Sequence, residues 1–167
     1  LSCERTALNL LSRMSGIATQ TNFLVSKIRK INRKTKLYST RKTAPGLRFF
    51  DKEAIMIGGG HKHRMSLNDM VMIKDNHLLV TNSMEGIIKN ARKRHKHVEV
   101  EVENQRDAIL AASSGATIVM LDNFSPVQIK KTITALQKKK LRNKVKLEAS
   151  GGINSKNISA YAKTGVD

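Results

Sequence analysis

Five short runs rich in β-formers return along this chain with helical patterns between them: "KLYST", "MVMIKD", "HVEVEVEN", "TIVMLDN" and "KVKLEAS". Neighbouring runs lie about twenty or more residues apart, which suits a helical crossover rather than a hairpin, so the strands are expected to be parallel. The third run alternates valine and glutamate with strict period two, the mark of a strand with two chemically different faces. Residues 4–34 read as helix, broken near Gly16, with Leu8, Leu11, Ile28 and Ile31 at helical spacing. "RKTAPG" is a turn and "DKEAIMI" a helix running into a triple glycine. Further helices are expected at "SMEGIIKNARKRH", capped by Ser83 or Asn82, and at "QRDAILAASSG". Another opens at "SPVQIKKTITAL", with Ser125 as cap and Pro126 at its first position, and a last one covers "SKNISAYAKTG" before the strand stub "VD". One α/β domain follows.

Composition narrows the class. At 167 residues and 40% apolar content, the chain can bury one sizeable core. No apolar run approaches the roughly 18 residues of a membrane span, and the amino terminus lacks a signal-peptide profile, so no membrane partner is expected. The single cysteine, Cys3, excludes an intramolecular disulfide, fits a reducing cytoplasm, and is expected to be a small buried hydrophobe. The chain opens on Leu1 and closes where a new strand begins, so it is expected to be a piece of a longer polypeptide.

The net charge of +18 implies anionic partners. Aromatic residues are 4% of the chain and tryptophan is absent, so a base-stacking platform is poorly supplied and nucleic acid is not the expected partner. The densest basic runs, "KIRKINRK", "KNARKRHKH" and "KKKLRNKVK", fall at expected helix carboxyl ends, where cations complement the dipole.

Polar groups gather at one end of the strands. Arg41 and Lys42 follow the first, Lys74 and Asp75 end the second, Glu103 the third, Asp122 the fourth, and Glu148 with Ser150 the fifth. A parallel α/β barrel builds its active site from those carboxyl ends. Arg41, Lys42, His63, Arg64 and Lys74 against Glu103 and Asp122 suit an anionic substrate with a divalent metal, magnesium by donor type. "SGG", residues 150–152, precedes a helix expected to start near Asn154 and could present backbone N–H groups to a phosphate. "HKH" occurs at 61–63 and 95–97, but no HExxH or CxxC accompanies it and adjacent lysine and arginine repel a cation, so an anion clamp is favoured over zinc.

The stretches "ERTALNLLSRMSGIAT", "TRKTAPGLR", "GGGHKHRMSLNDMVMIKDNH", "VEVEVEN", "LDNF", "LEASGGI" and "TGVD" occur in one order along nearly the whole chain. In that order they resemble the quinolinate phosphoribosyltransferase family, the carboxylating nicotinate-nucleotide pyrophosphorylases. The resemblance implies an incomplete parallel α/β barrel, with residues 1–34 as a helical, dimer-contacting lead-in and 35–167 as a barrel catalytic domain truncated at its carboxyl end. It implies transfer of the phosphoribosyl group from phosphoribosyl pyrophosphate to quinolinate with decarboxylation, in NAD biosynthesis, by a cytoplasmic homodimer or higher oligomer using Mg2+. By the same resemblance Arg5, Thr40, Arg41, Lys42, His63, Arg64 and Lys74 bind quinolinate, Arg5 across a dimer interface. Glu103 and Asp122 match carboxylates near the ribose and metal, and Glu148, Ser150, Gly151 and Gly152 match the phosphate cradle. Competing readings are a related molybdenum-transport-associated protein, a basic nucleic-acid-binding module and a catalytically silent fragment.

Overall fold

A computed structural model describes residues 3–66, 69–74 and 83–167. The chain divides into two compact units, Leu1–Ser66 and Leu67–Asp167. Asp75 and Asn82, expected as a strand-end acid and an alternative cap, lie outside the described residues.

The first unit contains α1 (Glu4–Arg29) and α2 (Arg48–Ile57). Helix α1 runs through Gly16 unbroken, contrary to the expected interruption, and stops at Arg29 rather than near residue 34. The cost of one glycine in a helix, about 1 kcal/mol, is small beside the packing of a 26-residue element. Thr21, Val25 and Ile28 form its buried stripe, and α2 buries Asp51, Lys52 and Ala54. Cys3 is exposed rather than buried, because it precedes the helix instead of packing under it.

The triple glycine explains how the two helices meet. A Cβ on Gly58 would lie 2.5 Å from the Ala18 carbonyl oxygen and 2.6 Å from Thr21 Cβ, both on α1. One on Gly60 would lie 2.8 Å from Ile55 Cγ2. Gly59 is left-handed at φ 87°. A second tie is electrostatic: Arg13 on α1 forks onto Asp51 on α2, through Nε at 2.8 Å and Nη2 at 2.9 Å. Asp51 also accepts the Ala44 N–H at 3.1 Å, so one carboxylate joins three segments. "KLYST" does not form a strand; it makes a single parallel bridge, Tyr38 to His61, held by His61 N–H to Leu37 O and Ser39 N–H to His61 O.

The second unit is a four-stranded, wholly parallel sheet in chain order: β1 (Val71–Ile73), β2 (Val98–Val102), β3 (Ile118–Asp122) and β4 (Lys146–Ser150). Helices α3 (Met84–Arg94), α4 (Gln105–Ser113) and α5 (Pro126–Lys138) are the crossovers. Ser83 caps α3 by accepting Gly86 N–H, and Asn104 caps α4 by accepting Asp107 N–H. Ser125 caps α5 in a full capping box with Gln128, with Pro126 at the helix start. Val98, Val100 and Val102 join Val119, Leu121 and Leu147 in one core with Ala108, Ala111, Ile129, Ile133 and Leu136 from the helices. A last short helix, α6 (Ile158–Ala162), follows a turn; residues 166–167 form no strand, and Asp167 N–H bonds to Leu147 O on β4. No helix among the described residues is long and apolar enough to cross a membrane.

Two predictions follow from the first unit. Gly58→Ala should lower stability by about 2 kcal/mol or more, because the methyl meets backbone that cannot give way. Gly16→Ala, with nothing within 4 Å of the new atom, should raise it by about 0.5–1 kcal/mol in urea unfolding. The second concerns pH. The hydrogen bond from Arg13 holds the Asp51 carboxyl below its ordinary value of 3.8, helped by Ala44 N–H and opposed by burial. A depressed carboxyl stabilises the fold above its unfolded value and loses that contribution as pH falls through the folded one. Asp51→Asn should therefore destabilise at pH 7, with the gap to wild type closing only below about pH 3.8.

Candidate active site

Parallel pairing places the carboxyl ends of β2, β3 and β4 side by side. Val102 pairs with Leu121, and Asp122 with Ser150, so Glu103, Asp122 and Ser150 leave the sheet at one edge. Along β2 the valines enter the core and Glu99 and Glu101 take the other face; Glu99 is fully buried, and Glu103 lies exposed in the bend just past the strand. On β4, Glu148 precedes Ser150 by two residues on the same face, its carboxylate within 4.8 Å of that of Glu99. Lys74, just past β1, donates through Nζ to Glu101 Oε2 at 2.7 Å. Glu101 was not among the residues expected at the site. The only signal for it was its place in the alternation, between two other glutamates.

The turn after β3 is a second unexpected participant. Asn123 is left-handed at φ 55°, donates its side-chain amide to Asp122 Oδ2 at 2.7 Å, and donates its backbone N–H to Ser150 O at 2.9 Å. Gly151 (φ 90°) packs directly on it: a Cβ there would lie 2.2 Å from Asn123 Oδ1. The "SGG" turn thus sets the position of the Asp122 carboxylate. Gly152 is also left-handed (φ 63°), and Asn157 Nδ2 donates to its carbonyl at 3.0 Å. The following helix begins at Ile158 rather than near Asn154, because Asn154 and Asn157 bond each other and the Gly152 carbonyl in a turn. The expected helix N-terminus is therefore not at the "SGG" turn; left-handed glycines and an asparagine-rich turn stand there.

The first unit carries the remaining expected residues. Arg5 lies exposed in the first turns of α1, and Thr40 accepts Lys42 N–H at 3.1 Å in a tight turn. Arg41 is half-buried, and its Nε is buried with no hydrogen bond among the described residues. A buried guanidinium donor left open in this way is a place for an incoming acceptor. His63 is left-handed (φ 53°), with its ring edge-on to Tyr38 at 5.8 Å. The backbone of 62–64 is pinned from below by Lys52, which is fully buried and donates to the carbonyls of Lys62 and, at 2.6 Å, Arg64. Ser39 Oγ adds a bond to Lys62 O at 2.7 Å. Lysine is almost never fully buried without partners, so Lys52 acts here as a positioning residue for His63 and Arg64. Nothing in its sequence context singled it out.

Comparison with known proteins accords with this arrangement. Residues 17–167 match the family model "Quinolinate phosphoribosyl transferase, C-terminal domain". The chain belongs to that family. It is 48% identical, over its whole length, to a probable carboxylating nicotinate-nucleotide pyrophosphorylase of Methanothermobacter thermautotrophicus, of which it spans 61%. It is 40% identical to the carboxylating nicotinate-nucleotide pyrophosphorylase of Rattus norvegicus, covering 98% of this chain and 55% of that one. NadC from Streptococcus pyogenes superposes with a TM-score of 0.89 at 40% identity, over 99% of this chain and 56% of the other. The expected fold class, an α/β architecture of the parallel barrel type, holds. The chain spans between 55% and 61% of the length of these relatives.

Gly151→Ala should displace Asn123 and with it Asp122, costing about 2–4 kcal/mol in stability. Gly152→Ala, where no atom lies within 4 Å, should cost only the left-handed backbone, about 1 kcal/mol. Urea midpoints of the two variants check the difference.

Proposed function

We propose that this chain is the catalytic part of a quinolinate phosphoribosyltransferase, joining quinolinate to the ribose of phosphoribosyl pyrophosphate and releasing diphosphate and carbon dioxide to leave nicotinate mononucleotide. The observation that carries the proposal is the family match over residues 17–167, which takes in every assigned residue except Arg5.

The chemistry fits the residue types. Quinolinate bears two adjacent carboxylates, and the planar guanidinium groups of Arg41 and Arg64 bind such oxygens through paired, charge-assisted hydrogen bonds. Thr40, His63 and Lys74 add donors to the same anion, and Lys42 reaches it or the diphosphate. The open Nε of Arg41 supports that assignment. As the pyridine nitrogen attacks the anomeric carbon and diphosphate departs, positive charge develops on the ribose, and Glu103 and Asp122 stabilise it. The amide of Asn123 fixes Asp122 for this task. Decarboxylation follows: the electron pair of the broken bond to carbon dioxide stays on the ring carbon, stabilised by the adjacent, now positively charged nitrogen, and a proton then adds to that pair in place of the lost carboxylate. Ser150, Gly151 and Gly152 receive the ribose 5-phosphate, with Glu148 lying two residues back along β4.

Magnesium fits the donor set, because Glu103 and Asp122 offer hard oxygens of the kind that hold Mg2+ in small number beside substrate phosphates. When bound, it neutralises charge on the departing diphosphate. Arg5, exposed at the start of α1, serves the site of a second copy in a homodimer or larger assembly.

The test is a product assay with quinolinate and phosphoribosyl pyrophosphate in the chain extended to the length of its relatives. Wild type should release carbon dioxide and form nicotinate mononucleotide. Arg64→Lys keeps the charge but loses the fork, so quinolinate binding should weaken by roughly 10-fold or more, with phosphoribosyl pyrophosphate binding little changed. Normal quinolinate affinity in that variant, or no product from wild type, would sink the reading.

A further inference from the structure

The first unit holds a cavity of about 190 Å³ lined by Val25, Ile28, Arg29, Arg33, Lys36 and His61, with Thr35, Leu37 and Gly59. Its shape follows from the chain. Helix α1 ends at Arg29, the backbone turns with Ile31 and Asn32 N–H both bonded to Ile28 O, and residues 33–37 return beside the triple glycine. Gly59 closes the wall: a Cβ there would lie 3.7 Å from both Arg29 Nη2 and Val25 Cγ1.

We propose that this cavity binds a small phosphate-class anion, inorganic diphosphate or the phosphate of a small ester, held by Arg29, Arg33 and Lys36 with His61 as a fourth donor.

Three cations line one concavity, and no carboxylate among the described residues of this unit pairs with them. Its carboxylates are Glu4, Asp51 and Glu53. Asp51 is bound by Arg13 and Glu53 by Lys62, while Glu4 sits at the far end of α1, roughly 38 Å away at helical rise. Arg29 alone is accounted for by the helix dipole; Arg33 and Lys36 lie beyond the helix and are not. Like charges brought together without a counter-charge are costly, and an anion removes the cost. The volume suits a small ion rather than a nucleotide, and Val25, Ile28 and Leu37 give an apolar wall for a short carbon stem. Burial first, and then the nearby Lys36 and Arg29, hold the His61 imidazole below its ordinary 6.5, so both cations lie close enough to act on that ring. Its ring lies 5.2 Å from that of Tyr38, which packs at a right angle to the His63 ring at 5.8 Å, so one aromatic ring separates His61 from a proposed quinolinate ligand.

The probe is inorganic diphosphate without divalent metal, titrated into the full chain while the His61 ring and Gly59 amide are followed by NMR, with chloride at matched ionic strength and phthalate as controls. Diphosphate should shift both signals saturably and raise the His61 titration midpoint, since an anion favours the imidazolium. Phosphate should do so more weakly and phthalate not at all, and Arg33→Gln with Lys36→Gln should weaken binding by about 10-fold or more. Lys74→Ala should leave these shifts unchanged. Equal shifts in chloride, a response to phthalate, or loss of the response in Lys74→Ala but not in Arg33→Gln would each overturn the proposal. If the double variant does not fold, the wild-type titration decides alone: silent His61 and Gly59 signals reject the site.

Discussion

Parallel hydrogen bonding between β2, β3 and β4 is the constraint on which the second unit depends. It sends the carboxyl ends of three strands to one edge, and it commits every side chain on β2 to one of two faces. The valines are taken by the helices, so the glutamates must occupy the opposite face whatever that costs in desolvation. Glu99 is fully buried on that face and Glu148 stands close to it, an arrangement that a packing argument alone would never choose. The sheet is stabilised on its valine face and given over to charge on the other. A one-residue slip would exchange the two faces, so the strict alternation also fixes register.

The first unit solves a different problem, that of holding a loop still. Residues 62–64 are not in a strand or helix, yet they carry His63 and Arg64. Two carbonyls of this segment are bound by one buried ammonium, that of Lys52, and Ser39 supplies a further bond. A buried lysine with its donors engaged is stable only while the carbonyls stay in place, so the segment and α2 restrain each other. The triple glycine is part of the same device, because close approach of α1 to Gly58 brings the whole segment against that helix.

What the chain reveals in advance divides along the same line. The Ser125–Pro126–Gln128 start of α5, the alternation of β2 and the spacing that demands parallel pairing are local signals, and each corresponds to an observed element. Errors occur where tertiary contacts outweigh local ones. Gly16 does not break α1, "KLYST" is left with one bridge, and α6 starts late because two asparagines bond each other first. Glu101, Asn123 and Lys52 were invisible as site residues for one reason: their roles are contacts made 27 residues away with Lys74, from the end of β3 to the end of β4 with Gly151, and ten or more residues away with a loop. The reactive groups themselves were more legible, since charge at strand ends can be read without knowing what holds it.

The distribution of backbone strain sharpens this distinction. Among described residues other than glycine, His63, Asn123 and Lys140 adopt positive φ. Lys140 sits in the turn after α5, where a left-handed residue ends a helix at low cost. Neither His63 nor Asn123 ends a helix. Each sits beside a charged residue of the candidate site, Arg64 and Asp122, and each is held by bonds or contacts that its own unit supplies. Left-handed backbone in a residue with a side chain persists only where the surroundings over-determine it. The Lys52 clamp and the Gly151 contact provide that over-determination, so the geometry next to Arg64 and Asp122 is set by packing rather than by local preference.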